Sequence, residues 1–152
     1  MRLLRAAQSR EAKLVLLGDT YVHSTMDLFQ KISLAIVGIG AIEPSSMLSR
    51  SGNVFSSREL ADVTEAGGVG DISLRFFDSD GKTVKTPLDD RVIGMTLNEL
   101  AKVDRVTALA GGQSKTDAIR GALRTGVIDL LITDRFTAER LIGEEYQVNA
   151  VE

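Results

Sequence analysis

Hydrophobic positions along this chain fall in short, dense runs rather than in strict alternation. Leu34-Ala-Ile-Val-Gly-Ile-Gly40, Val106-Thr-Ala-Leu-Ala-Gly-Gly112 and Leu130-Leu-Ile-Thr-Asp134 are rich in Leu, Ala and β-branched residues, and each ends in Gly or Asp. Such runs suit parallel strands buried on both faces, each leading into a tight turn. Between the last two, Lys115–Arg124 changes to helical spacing. Ala118, Ile119, Ala122 and Leu123 share one stripe, with Asp117, Arg120 and Arg124 off it. Ser114 stands where a cap belongs, and Thr125-Gly126 supplies the residue preferred after a helix end. Val106–Asp134 therefore predicts a βαβ unit. A last helix is predicted over Arg135–Ile142, turning Phe136, Ala138, Leu141 and Ile142 inward and stopping at Gly143, with a polar tail behind it.

The middle of the chain reads differently. Asp71–Asp78 is a strand candidate, Ser79-Asp80-Gly81 a turn and Lys82–Thr86 a returning strand, which together predict a hairpin. Val92-Ile93 is a short strand, and Thr96 with Glu99 completes a capping box for a short helix. Met1–Arg10 reads as a helix or a ragged end, and Tyr21 and Phe29 as packing residues. The fold class is α/β, a Rossmann-like, mostly parallel sheet with flanking helices. Three or four parallel strands are few for a sheet covered on both faces, so the chain is expected to be part of a larger α/β domain.

Composition narrows the functional classes. The 152 residues are 43% hydrophobic and 26% charged, which argues against disorder. Lys and Arg number 18 against 21 Asp and Glu, a net charge of −3, with no basic stripe for duplex DNA or an anionic membrane. The absence of cysteine excludes a disulfide framework, a thiol nucleophile and a Cys-based zinc site, and one histidine, His23, makes any metal site improbable. No cofactor is expected. No apolar run approaches the roughly 18 residues of a membrane span, and the first ten residues lack a secretory pattern, so a cytoplasmic protein is expected.

The strongest chemical signal is Ala110-Gly-Gly-Gln-Ser-Lys115, between a strand and a helix. Glycines at a strand end let backbone approach a ligand, and the helix start behind them favours an anion. The P-loop spacing is absent, and the plain alternative is an ordinary strand-to-helix turn with a solvated Lys. Gly67-Gly-Val-Gly-Asp71 is the second signal. Asp71 can accept hydrogen bonds from sugar hydroxyls or simply satisfy backbone donors. Gly38 and Gly40 open backbone at a sheet edge where ligands of α/β folds bind, or form a turn. Arg50 offers a guanidinium to an anion or serves as surface charge. Asp134 reads as a strand-end residue.

Taken together and in order, Leu34–Ala41, Arg50-Ser-Gly-Asn53, Gly67–Ile72, Arg75–Asp78 with Gly81, Leu88–Gly94, Ala110–Ile119 and Leu131–Asp134 with Thr137-Ala138 resemble a known family. The chain is similar to the carboxy-terminal part of the sugar-binding effector domain of SorC-type bacterial transcriptional regulators, sometimes grouped with DeoR. The resemblance runs from about Lys13 to Ile142. It implies a fold like glucosamine-6-phosphate deaminase and ribose-5-phosphate isomerase, a phosphorylated sugar as effector, and a homo-oligomer (dimer or tetramer). It implies that Lys115 meets the phosphate or a sugar oxygen, Gly111 and Gly112 shape the loop, Asp71 takes sugar hydroxyls and Arg50 is a secondary anion contact. Such regulators reach DNA through a helix-turn-helix domain and carry a first α/β half, and neither is in this sequence. The expected function is effector binding and oligomerisation rather than catalysis. A sugar-phosphate isomerase or deaminase using Asp71 as base, and a purely structural oligomerisation piece, are the alternatives.

Overall fold

In the computed structural model, which describes residues 5–42 and 55–148, strands and helices alternate irregularly. The first stretch holds β1 (Arg5–Ala6), α1 (Arg10–Leu17), α2 (Thr20–Asp27) and β2 (Leu34–Ala41). The middle holds α3 (Ser57–Glu65), β3 (Gly68–Ile72), β4 (Arg75–Asp78), β5 (Val92–Ile93) and α4 (Leu97–Leu100). The last stretch holds β6 (Arg105–Leu109), α5 (Thr116–Arg124), β7 (Leu130–Ile132) and α6 (Arg135–Val148). One five-stranded sheet has the order β4-β3-β2-β6-β7, and β1 pairs with β5 apart from it.

The sheet is mixed, which corrects the expectation of a mostly parallel one. β2 runs parallel to β6 from Leu34↔Arg105 to Gly38↔Leu109, and β6 runs parallel to β7. The far end of β2 instead pairs antiparallel with β3, Gly40 opposite Asp71, and β3 pairs antiparallel with β4. The β3–β4 pair arises from a two-residue turn that splits the stretch read as one strand. Ser73 and Leu74 both take left-handed backbone, φ 57° and 61°, the geometry of a tight hairpin turn. That region disfavours side chains such as Leu. Here it is held by burial of Leu74 and by its amide, which donates to Asp71 Oδ2 at 2.9 Å. The expected Ser79-Asp80-Gly81 turn exists, but the return after it makes only one bridge, Phe77↔Thr83.

Two apolar clusters divide the interior. Ile39, Ile72, Phe77, Val106, Ala108, Ala118 and Ile119 join the sheet to α5, with Leu97 and Leu100 of α4 closing one end. Leu60, Val63, Leu74, Phe76, Val84, Leu88 and Val92 form the second, beneath α3. Buried Arg75 ties β4 to the segment before α4, donating to the Gly94 and Met95 carbonyls and pairing with Asp89 at 3.0 Å. The capping boxes at Ser56–Glu59 and Thr96–Glu99 start α3 and α4.

Only one face of the parallel strands is covered, contrary to the expectation of burial on both. Ala35, Ile39, Val106 and Ala108 point into the core, whereas Leu34, Ile36, Leu109, Leu130 and Ile132 are 49–69% exposed on the other side. The glycines of the first run do not end it in a turn, because β2 continues through Gly38 and Gly40 to Ala41. Residues 5–6 form a strand and Ser9 caps α1, so residues 5–9 are not a helix, while the first four residues of the Met1–Arg10 stretch lie outside the described residues. Tyr21 is 84% exposed and does not pack. α6 runs through Gly143 to Val148, and Phe136 and Ile142 face outward, while Thr137 turns inward with no exposure.

Candidate functional site

Most of the sequence-predicted residues, Gly40, Asp71, Gly111, Gly112 and Lys115, gather at the carboxyl ends of β2 and β6, the edge where open α/β sheets bind ligands. Gly40 and Asp71 face each other across the β2–β3 ladder. A Cβ at Gly40 would overlap Asp71 Oδ1 and lie 3.1 Å from its Cγ, so the glycine makes room for the carboxylate. Asp71 is buried, its Oδ2 occupied by the Leu74 amide. Burial pushes its carboxyl above the ordinary range, against the Leu74 amide and the Lys115 charge, which both pull it down. Lys115 approaches from the turn that follows β6: its Nζ donates to the Ile39 carbonyl at 2.9 Å. Gly40, Asp71 and Lys115 thus form one cluster, with the acidic and basic groups on opposite sides of the β2 end.

Gly111 and Gly112 form the loop between β6 and Lys115, and a set of residues that sequence reading left in the background shapes it. Gly112 has φ 100°, open to glycine and strained for side chains. Its amide donates to Asp134 Oδ2 at 2.8 Å and to Thr137 Oγ1 at 2.9 Å. Asp134 also accepts from the Thr137 hydroxyl at 2.6 Å and the Thr137 amide at 2.9 Å. These donors hold its carboxyl at about 2, well below the ordinary range. Asp134 therefore stays ionised at any physiological pH and is more than a strand-end residue. Ser114 does not cap α5. It sits in a single 3₁₀ turn, Gln113–Lys115, placed ahead of the helix.

Two predicted residues stay outside the cluster. Gly38 lies on the uncovered face with no neighbour near the position of a Cβ. Arg50 falls in residues 43–54, outside the described residues. The sequence shows Asp134 with Thr137-Ala138 as a motif but does not mark the network that they form. Its partner Gly112 is 22 residues earlier, a tertiary relation that no local pattern carries. His23 makes an exposed pair with Asp27 at 3.3 Å. Among the described residues no group of three acidic or histidine side chains is placed to hold a metal ion, and no helix is long and apolar enough to cross a membrane.

Comparison with known proteins agrees with this architecture. The family described as "Putative sugar-binding domain" matches residues 4–143. The chain is 38% identical over 138 residues to the erythritol catabolism regulatory protein EryD of Brucella abortus, covering 91% of this chain and 43% of that protein. It is 31% identical over 126 residues to the deoxyribonucleoside regulator of Bacillus subtilis, covering 83% of this chain and 40% of that protein. Among solved structures, a DeoR family transcriptional regulator from Listeria monocytogenes superposes with a TM-score of 0.84 at 31% identity, over 90% of this chain and 55% of that one. The chain thus spans about two fifths of the curated relatives it matches, and those relatives are transcriptional regulators, not enzymes. With a family model matching residues 4–143, relatives above 30% identity and a superposable fold, the chain belongs to the sugar-binding domain family of SorC/DeoR-type transcriptional regulators.

Proposed function

We propose that this domain senses a phosphorylated sugar for a bacterial transcriptional regulator and changes the assembly of that regulator when occupied. The observation that carries the reading is the cluster at the end of β2: a buried carboxyl at Asp71 and an ammonium at Lys115 flank one strand end, beside a glycine loop. A sugar phosphate offers both complements, hydroxyls for Asp71 and an anion for Lys115. The Gly112 amide is already taken by Asp134 and Thr137, so the anion is held by Lys115 and the turn before α5 rather than by that amide. Arg50 is a further anion contact in this reading. The parallel half of the sheet, β2-β6-β7, supports kinship with the sugar-phosphate deaminase and isomerase fold.

Regulation follows from differential affinity, since a ligand shifts an equilibrium only by as much as it prefers one state. The uncovered apolar face of β2, β6 and β7 is the surface through which copies of the regulator, or its other α/β half, would pack. DNA is contacted in this reading by a helix-turn-helix module of the intact regulator, and the effector domain itself touches none. Ligand-dependent thermal stabilisation of the chain by a panel of sugar phosphates, lost in Lys115→Ala and in Asp71→Ala, is the expected result. A regulator whose operator affinity ignores every sugar phosphate would refute the reading.

A further inference from the structure

We propose that Asp134, Thr137 and Arg140 are positioning residues of the sensor, a clamp from α6 that sets the Gly111–Gly112 loop and, through it, Lys115. This inference rests on the sensor reading but stands on its own geometry. The Thr137 hydroxyl has one proton and two lone pairs, and all three are used. It donates to Asp134 Oδ2 at 2.6 Å and accepts from the Gly112 amide at 2.9 Å and from Arg140 Nη2 at 3.1 Å. Arg140 extends the clamp by donating from Nε to Thr116 Oγ1 at 3.2 Å, at the first residue of α5. The Gly112 carbonyl accepts from the Lys115 amide at 3.0 Å, which closes the circuit from α6 to the loop to Lys115.

The clamp also explains the second glycine of the pair. A Cβ at Gly111 would run into Asp134 Oδ2 and lie 3.3 Å from the Asp134 amide, so the loop is pressed against the start of α6. A rigid loop lets Lys115 keep its Nζ beside the end of β2 without a ligand present. A ligand anion then meets a cation that has already been ordered, and less conformational entropy is lost on binding.

Thr137→Val removes the hydroxyl and keeps the shape, Thr137→Ser keeps the hydroxyl, and Asp134→Asn is an exposed change that leaves fewer acceptors for the same donors. In the full chain, Gly112 amide exchange is read by NMR, and affinity is read by calorimetry with ribose 5-phosphate, erythritol 4-phosphate, glucosamine 6-phosphate and inorganic phosphate. Thr137→Val and Asp134→Asn are expected to speed Gly112 exchange and weaken the tightest sugar phosphate by about tenfold or more, the scale of one net hydrogen bond or slightly above. Thr137→Ser should stay close to the parent in both. Affinity unchanged in Thr137→Val while Lys115→Ala abolishes binding would overturn the clamp and leave the sensor reading intact. If no compound binds the parent chain, the sensor reading fails. The clamp is then decided by Gly112 alone, upheld by faster exchange in Thr137→Val with rescue in Thr137→Ser, and rejected by unchanged protection.

Discussion

Gly40→Ala is the sharpest test of how the site is built. The added methyl would overlap Asp71 Oδ1 and crowd its Cγ at 3.1 Å, in a position where the carboxylate is buried. Relief requires Asp71 to swing away from β2, which breaks the 2.9 Å bond from the Leu74 amide. Forcing an extra methyl into packed surroundings costs about 1–3 kcal/mol. Leaving a buried amide without its acceptor costs about another 1–3 kcal/mol. The sum, about 2–6 kcal/mol, corresponds to a fall in melting temperature of roughly 5–20 °C for a domain of this size. Urea denaturation of Gly40→Ala, Asp71→Ala and the double variant measures the coupling. The double variant should lose less than the sum of the singles, by about 0.5–3 kcal/mol, because removing the carboxylate makes room for the methyl. A cost for Gly40→Ala below about 0.5 kcal/mol, the scale of neutral surface changes, would refute the argument, as would simple additivity.

Asp71→Asn should alter the pH dependence of stability in a defined direction. The folded carboxyl titrates above its unfolded value, so its contribution is fully present below about pH 4 and is lost as pH rises through the raised folded pKa. The stability difference between Asp71→Asn and the parent should therefore grow in favour of the variant across that window, and a constant difference from pH 3 to 8 would contradict it. Phe77→Ala, at a fully buried position in the cluster beneath α5, should cost about 3–5 kcal/mol by chemical denaturation. A loss under about 1 kcal/mol would mean that this cluster is not the core. If copies pack through the uncovered sheet face as proposed, Ile36→Lys or Ile132→Lys should leave the fold unchanged by circular dichroism and reduce self-association in light scattering. Unaltered association would show that the face is not what holds copies together.

The parts that were legible in sequence are those with short-range causes. The apolar stripe of Lys115–Arg124 became α5, Gly126 follows it at φ 69°, and the Thr96–Glu99 box caps α4 as expected. The candidate site was legible where glycines and charged residues sit beside predicted strand ends, at Gly40, Asp71 and Lys115. The expected turn at Ser79-Asp80-Gly81 is present, with Thr83 bridged to Phe77 and the Val84 amide donating to the Phe76 carbonyl. The sequence did not reveal the second hairpin before it, whose turn uses Ser73 and Leu74 in left-handed backbone. Tertiary support holds that turn, through a carboxylate on β3 and a buried Leu. The orientation of the last helix was misread for a similar reason. An inward Thr137, accepting from the Gly112 amide, displaced Phe136 and Ile142 from the inner face. Gly143 failed to stop the helix because glycine in mid-helix carries a penalty of only about 1 kcal/mol, which neighbouring turns absorb.

Phe76 and Phe77 are adjacent in sequence, yet each anchors a different cluster, Phe76 beneath α3 and Phe77 beneath α5. β4, only four residues long, is therefore a partition wall with one large ring driven into each room. Neither room can be emptied without pulling on the wall, so the domain has no half that can melt in reserve while the other stands. A fluorescent or exchange reporter placed in either cluster would record the same midpoint. For a sensor this has a practical meaning: strain generated at the ligand edge is shared by both clusters instead of being discharged by melting one of them.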